Sequence, residues 1–235
     1  MAILRTKNEE GLNNYNKRYC ERPDEWKEKA HVDRLEQNSW KIRYDSESNM
    51  VLDVCLKNNY TKVLEFGSGP GVLGNMVVDK SGIDIDWTNI DKIGAKQEFE
   101  KRGYKGKFLV ENLHNYFDIK NVDRDYDLIV ANDFLEHIAN PSNILSMSYD
   151  ITKESAKIFV SVPNWRMGHT FIYRGLFDYD NWIYFMWTHG WKVTEVLPSS
   201  MNKTLDYPRL SSEEEMPEEL RLSWNWYFIG EKRQF

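Results

Sequence analysis

The sequence predicts an α/β protein built on an open, largely parallel sheet with helices on both faces. Two observations carry this expectation. From residue 61 onward, short apolar runs alternate with amphipathic segments, the strand–helix–strand rhythm of a doubly wound sheet. The first of those runs leads into Glu65-Phe66-Gly67-Ser68-Gly69-Pro70-Gly71. Glycines at every second position there turn the chain out of a strand and open the way to a ligand, because no Cβ stands in between.

The elements follow in chain order. Residues 1–60 are polar and helical in character, with Tyr15, Tyr19, Trp26 and Trp40 among charges, and read as an N-terminal helical cap. Pro23-Asp24-Glu25 has the proline and acids of a first helical turn. Residues 46–58 carry Met50, Val51, Val54 and Cys55 at helical spacing. A ligand-binding domain over 61–235 then begins with strand one at 62–66 and a helix from about 71. Strand two is expected at 86–90, a polar helix at 93–101 ending at Gly103, and strand three at 107–110. Strand four, 126–131, is the almost unbroken apolar run of a buried parallel strand. Asn140-Pro141-Ser142 opens a helix to about 152, and strand five spans 156–162. An aromatic helix over 178–189 stops at Gly190, a strand follows at 191–197, residues 211–219 form an acidic surface segment, and a last strand covers 224–230.

Composition narrows the function. The chain has 235 residues, enough for one sizeable α/β domain. With 31 basic and 37 acidic side chains its formal charge is −6, which argues against a dedicated nucleic-acid binder. Its two cysteines, Cys20 and Cys55, have no metal-ligand spacing and give no disulfide framework. Nothing at the N-terminus resembles a signal peptide and no apolar run approaches membrane-spanning length, so a cytoplasmic protein without a membrane partner is expected. Nine tryptophans fit a well-filled core better than an aromatic-walled pocket.

The glycine turn reads as a nucleotide-type cofactor loop, since the helix after it offers N–H groups and positive potential to an anionic group. A dinucleotide fingerprint would need a third glycine where Val72 stands, which disfavours a nicotinamide-dependent oxidoreductase. No Lys-Ser or Lys-Thr follows, so the phosphate-loop pattern fails too. Glu65-x-Gly67-x-Gly69-x-Gly71 resembles motif I of the class I S-adenosylmethionine (SAM)-dependent methyltransferases. The strand-four segment, from Asp127 through Asn132-Asp133 to Leu135-Glu136-His137-Ile138, is similar to that of small-molecule methyltransferases, the ubiquinone-biosynthesis O-methyltransferases among them. Val160-Ser161-Val162-Pro163-Asn164 with His169 resembles the strand-five turn of bacterial sugar and surface-glycan methyltransferases, and Gly190-Trp191-Lys192-Val193 the opening of strand six. The resemblance covers about residues 60–197. It implies a Rossmann-like seven-stranded sheet of order 3-2-1-4-5-7-6, strand seven antiparallel.

Such a cofactor assigns further positions. Glu65, Gly67, Ser68, Gly69 and Gly71 form its loop. Asp91, twenty residues after Gly71, stands where a carboxylate meets a ribose diol. Glu111 and Asn112 follow strand three, where adenine is met, and Asn132 closes strand four. If a helical turn starts at Asp133, then Asp133, Glu136 and His137 share one face. Three readings stay open there. His137, Asp133 or the more distant His169 serve catalysis, His137 as general base with the ordinary pKa near 6.5. Alternatively Asp133, Glu136 and His137 hold a divalent cation such as Mg²⁺, which the resemblance favours although Asp133 stands where those relatives carry a longer Glu. Or Glu136 and His137 are structural. His114 has no motif context. The expected activity is methyl transfer from SAM to an oxygen of a small polar acceptor, a sugar or nucleotide sugar, bound against the Pro163-Asn164 turn, the aromatic helix and the N-terminal cap. A SAM-binding partner subunit without catalysis is the other class the motifs allow.

Overall fold

A computed structural model describes residues 38–113, 121–138, 140–164, 178–199, 205–206 and 216–234. Helix α1 (Asn38–Asn58) leads into β1 (Lys62–Phe66), α2 (Val72–Ser81), β2 (Asp86–Asp91), α3 (Ile93–Lys101) and β3 (Lys107–Val110). Then come β4 (Tyr126–Asn132), a single 3-10 turn (Leu135–His137), α4 (Pro141–Asp150), β5 (Thr152–Pro163) and α5 (Tyr179–Thr188). Strands β6 (Trp191–Pro198) and β7 (Leu205–Asp206), the short helix α6 (Glu218–Arg221) and β8 (Asn225–Lys232) complete the described chain. The helix start at Pro23, as well as Cys20, His114 and His169, lie outside the described residues.

The sheet order is β3-β2-β1-β4-β5-β8-β6-β7. Strands β1 to β5 pair parallel, whereas β8 runs antiparallel between β5 and β6. This is the expected seven-stranded order with its antiparallel seventh strand, here β8. The two-residue strand β7 is added at the edge beside β6.

Side-chain alternation along the strands divides the core between the two faces. Ile129 and Ala131 of β4 join Ile144 and Leu145 of α4 and Trp182 and Met186 of α5. Leu128 and Val130 face the other way, onto Val51, Val54 and Cys55 of α1 and Leu73 and Val77 of α2. Trp87, Trp182, Trp191 and Trp226 are fully buried, which is the packing role expected of them. The aromatic helix joins this core by one face only, and its other face leaves Tyr184 and Trp187 exposed. The aromatic helix α5 turns Tyr179, Trp182, Phe185 and Met186 into the core, with Tyr179 stacked edge-on against Trp226. Asn164 is fully buried as well, donating to the carbonyls of Arg221 and Ser223, so it closes the β5 turn onto the start of β8.

Strand β1 is the pivot of the topology. Its chain neighbour β2 lies on one side and β4 on the other. At such a reversal of strand order the loops leave the carboxyl ends in opposite directions, and a ligand crevice opens between them.

Candidate functional site

The glycine loop takes the shape its sequence requires. Gly67, Gly69 and Gly71 all have left-handed backbones, with φ of 67°, 54° and 75°. A Cβ on Gly67 would lie 2.1 Å from the Phe134 ring, and one on Gly71 would lie 2.7 Å from Phe99. The loop is therefore pressed against the chain following β4 and against α3, with no room for side chains. The amides of Gly67 and Ser68 donate to the Ile90 carbonyl at 2.9 and 3.2 Å, which anchors the loop to β2.

Asp91 stands beside this loop at the end of β2. Its carboxylate accepts from the Gly69 amide at 2.7 Å and from its neighbour's amide at Lys92, also at 2.7 Å. The Asp91 carbonyl accepts from Glu111 at 3.1 Å, bringing the first residue after β3 to the same edge, with Asn112 exposed next to it. Glu65 is buried and accepts from the Trp87 indole at 3.2 Å and from the Gly74 amide. Burial, with Asp91 and Glu47 adding to it, pushes its carboxyl up to about 8. The loop's close-packing glycine is Gly74, whose added Cβ would lie 2.2 Å from the Trp87 indole nitrogen. Val72 occupies the position a dinucleotide fingerprint would give to that role.

Beyond β4 the structure departs from the sequence expectation. Asp133 has a left-handed backbone, φ 47°, and no α-helix begins there. The 3-10 turn at Leu135–His137 does not reproduce the i, i+3, i+4 face of an α-helix. Asp133 instead accepts from the Ser161 hydroxyl at 2.8 Å, from the Asn225 amide and from the Arg43 guanidinium. Among the described residues no three His, Cys, Asp or Glu side chains are grouped to hold a metal ion. The residues thus do not fit the cation that their spacing allowed. Glu136 is fully buried, and burial, then Asp133, holds its carboxyl well above the usual range. His137 is partly exposed, its Nε2 3.6 Å from Glu136 Oε1. Asp127 lies at the far end of β4, where it accepts from the amides of Thr61 and Lys62 and from Lys153, a structural tie between β4 and β1.

Asn132 does not point outward from β4. It donates to Glu47 Oε2 at 3.0 Å and accepts from Ser161 at 2.7 Å. Glu47 also accepts from Arg43 Nε at 2.7 Å and from the Tyr227 hydroxyl at 2.9 Å. A closed ring results: Glu47, Arg43, Asp133, Ser161, Asn132 and back to Glu47. Arg43, Glu47, Asn225 and Tyr227 belong to no motif legible in the sequence. A signal for two of them does exist, since Trp40, Arg43, Tyr44 and Glu47 continue, one turn at a time, the face that carries Val51, Val54 and Cys55. The apolar stripe of α1 becomes polar where it leaves the core and reaches the crevice.

The comparisons agree with this geometry. A family model described as a methyltransferase domain matches residues 21–202. Among solved structures, the plantazolicin methyltransferase BamL, in complex with a triazolic desmethylPZN analog and S-adenosylhomocysteine (SAH), superposes with a TM-score of 0.65 at 17% identity, over 98% of this chain and 99% of that one. An S-adenosylmethionine-dependent methyltransferase from Clostridium acetobutylicum gives 0.62 at 12% identity, over 89% of this chain and 99% of that one. Magnesium protoporphyrin IX methyltransferase (ChlM) from Synechocystis, with bound SAM, gives 0.55 at 12% identity, over 82% and 81%. No curated protein matches the sequence significantly. A glycine loop locked to Asp91 at the point where strand order reverses, a seven-stranded order with its antiparallel insertion, and a family match over most of the chain lead to one conclusion: the protein belongs to the methyltransferase-domain family and has the class I SAM-dependent methyltransferase fold.

Proposed function

We propose that the protein transfers a methyl group from SAM to an oxygen of a small polar acceptor, with a sugar or nucleotide-sugar hydroxyl as the first class to test. The observation that carries the cofactor half is the left-handed glycine loop held against Asp91 at the point where strand order reverses. In this reading Asp91 takes the ribose, Glu111 and Asn112 flank the adenine, and the methionine end lies towards β4. Relatives of the same fold whose names specify small-molecule acceptors, a plantazolicin and a magnesium porphyrin methyltransferase, support an acceptor of that size.

When bound, SAM would supply a sulfonium-activated methyl group for transfer to the acceptor oxygen. The protein must align the acceptor oxygen and remove its proton. His137 is the residue for the proton. It is partly exposed at the carboxyl end of β4, with the buried Glu136 carboxyl 3.6 Å from its Nε2. Asp133, held by three donors, orients the acceptor.

The experiment is a SAH-formation assay over a panel of sugars, nucleotide sugars and phenols. His137→Ala should lower turnover by roughly 10²-fold while SAM affinity stays nearly unchanged. Full activity in that variant on a confirmed acceptor would assign His137 a structural role and move the search for the base to His169.

A further inference from the structure

Among the described residues two tryptophans are open to solvent, one at each end of the sheet, and only one of them has a structural partner. Trp187, in the last turn of α5, is 44% exposed, and the Arg233 guanidinium lies 4.0 Å from its ring centroid. Trp224 is 65% exposed, and its indole meets no ring, cation or hydrogen-bonding group among the described residues. Strand β8 runs antiparallel to β5, so its start, Asn225 opposite Pro163, lies at the carboxyl end of the sheet, and Glu231 opposite Lys157 at the amino end. Trp224 therefore stands at the edge where the crevice opens, and Trp187, beside Arg233, at the far edge. The Trp224 main chain is pinned from both sides: its amide donates to Ser199 Oγ at 2.7 Å, and its carbonyl accepts from the Asn164 amide at 2.8 Å. The next residue, Asn225, donates its side-chain amide to Asp133. One Cα–Cα step and one hydrogen-bonded side chain thus separate Trp224 from that carboxylate, which keeps its Cα within about 10 Å of it. Ser223 and Asn225 are buried, whereas Leu222 is 57% exposed, so the apolar pair of Leu222 and Trp224 is held outward from a fixed backbone. Large apolar side chains presented in this way belong to recognition surfaces, where a tryptophan carries much of the binding energy.

We propose that Trp224, with Leu222 beside it, is the platform for the methyl acceptor, and that the acceptor is a hydroxyl compound with a ring whose flat apolar face lies on the indole. The inference rests on the methyltransferase reading above, in which the acceptor oxygen is met by Asp133 and His137 beyond β4. A ring laid on Trp224 is within reach of Asp133 through its hydroxyl, whereas an acyclic polyol offers the indole no flat face. Trp224 takes no part in proton removal and none in the cofactor loop. Its effect is on which acceptor binds and how tightly.

The test measures SAH formation with catechol, UDP-glucose and glycerol, with SAM titrated separately, in wild type, Trp224→Ala, Trp224→Phe and Trp187→Ala. Wild type should turn over at least one of the two ring compounds in preference to glycerol, and which of them it takes tells an aromatic ring from a sugar. Trp224→Ala should raise KM for that compound on the order of tenfold, with kcat and SAM affinity changed far less. Trp224→Phe keeps a flat face and should recover most of the loss, and Trp187→Ala, at the far edge, should match wild type. An unchanged KM in Trp224→Ala overturns the platform, as does a wild type that binds SAM but turns over glycerol as readily as the rings, or neither ring at all. A KM effect equalled by loss of SAM affinity assigns Trp224 to structure and overturns it too. Failure of wild type to bind SAM overturns the cofactor reading and this inference with it.

Discussion

Single positions in the loop have two independent reasons for their identity, and the variants separate them. Gly67 combines a left-handed backbone with a Cβ position 2.1 Å from Phe134. Gly67→Ala therefore strains the backbone and displaces the ring that packs beneath the loop. We expect it to abolish measurable SAM binding in titration; an unchanged isotherm would show that the loop does not shape the site. Asp91 also has two tasks, since the carboxylate that would take a ribose already holds the Gly69 amide. Asp91→Ala should weaken SAM by about 1.5–3 kcal/mol, the scale of a lost charge-assisted hydrogen bond. The same substitution should lower thermal stability without ligand, because the Gly69 and Lys92 amides lose their acceptor. Loss of stability with full SAM affinity would confine Asp91 to the loop-holding task.

At the scale of elements, the contact between α2 and β2 sets how closely the loop approaches the sheet. Gly74 on the first turn of α2 lies against the Trp87 indole of β2, with no space for a methyl group. Glu65 of β1 accepts from both Trp87 and the Gly74 amide, so three elements meet at one buried carboxyl. Gly74→Ala should push α2 away and cost about 1–3 kcal/mol of stability, read as a lower denaturation midpoint. SAM affinity should fall with it, because α2 carries the loop, although Gly74 is not itself assigned to the ligand. A midpoint equal to wild type would mean that the indole moves aside at no cost. Helix α1 is held in a different way: its second half packs Val51, Val54 and Cys55 into the core, and its first half is tied by Arg43 and Glu47 to β4 and β8.

Across the whole molecule, buried carboxyls give stability an unusual dependence on pH. Glu65 is pushed up to about 8, and Glu47, Glu136 and Asp91 are shifted in the same direction, each chiefly by burial. Glu65 is faced by Asp91 of β2 and by Glu47 and Tyr44 of α1, so its own charge is disfavoured from two sides. A carboxyl raised in this way retains its proton in the folded state after the unfolded chain has released it. Stability is then full below the ordinary value of 4.5 and declines as pH rises towards about 8. Each such group contributes at most about 1.4 kcal/mol per pH unit. Asp127, held low by Lys153 and two backbone amides despite its burial, acts in the opposite sense and loses its contribution in acid. The melting temperature should fall between about pH 5 and about pH 8, and Glu65→Gln should flatten part of that slope. A melting temperature that rises through this window would show Glu65 ionised in the folded protein.

Local chemistry made much of this protein legible from its sequence. The strand–helix alternation, the glycine spacing and Asp91 at the end of β2 all depend on residues close in the chain, where backbone sterics and hydrophobic period act directly. The expected sheet order agrees with the structure because it came from a resemblance carried by those same local motifs. Tertiary structure alone decided what happens beyond β4. Asp133, Glu136 and His137 have helical spacing, but Ser161, Asn225 and Arg43 hold Asp133 in a left-handed conformation and no helix forms there. The ring has the same origin: Arg43 and Asp133 are ninety positions apart, and Glu47 and Tyr227 one hundred and eighty. Burial made these charges matter, and burial belongs to the folded chain, where long-range contacts exclude water from groups that the sequence shows only as polar.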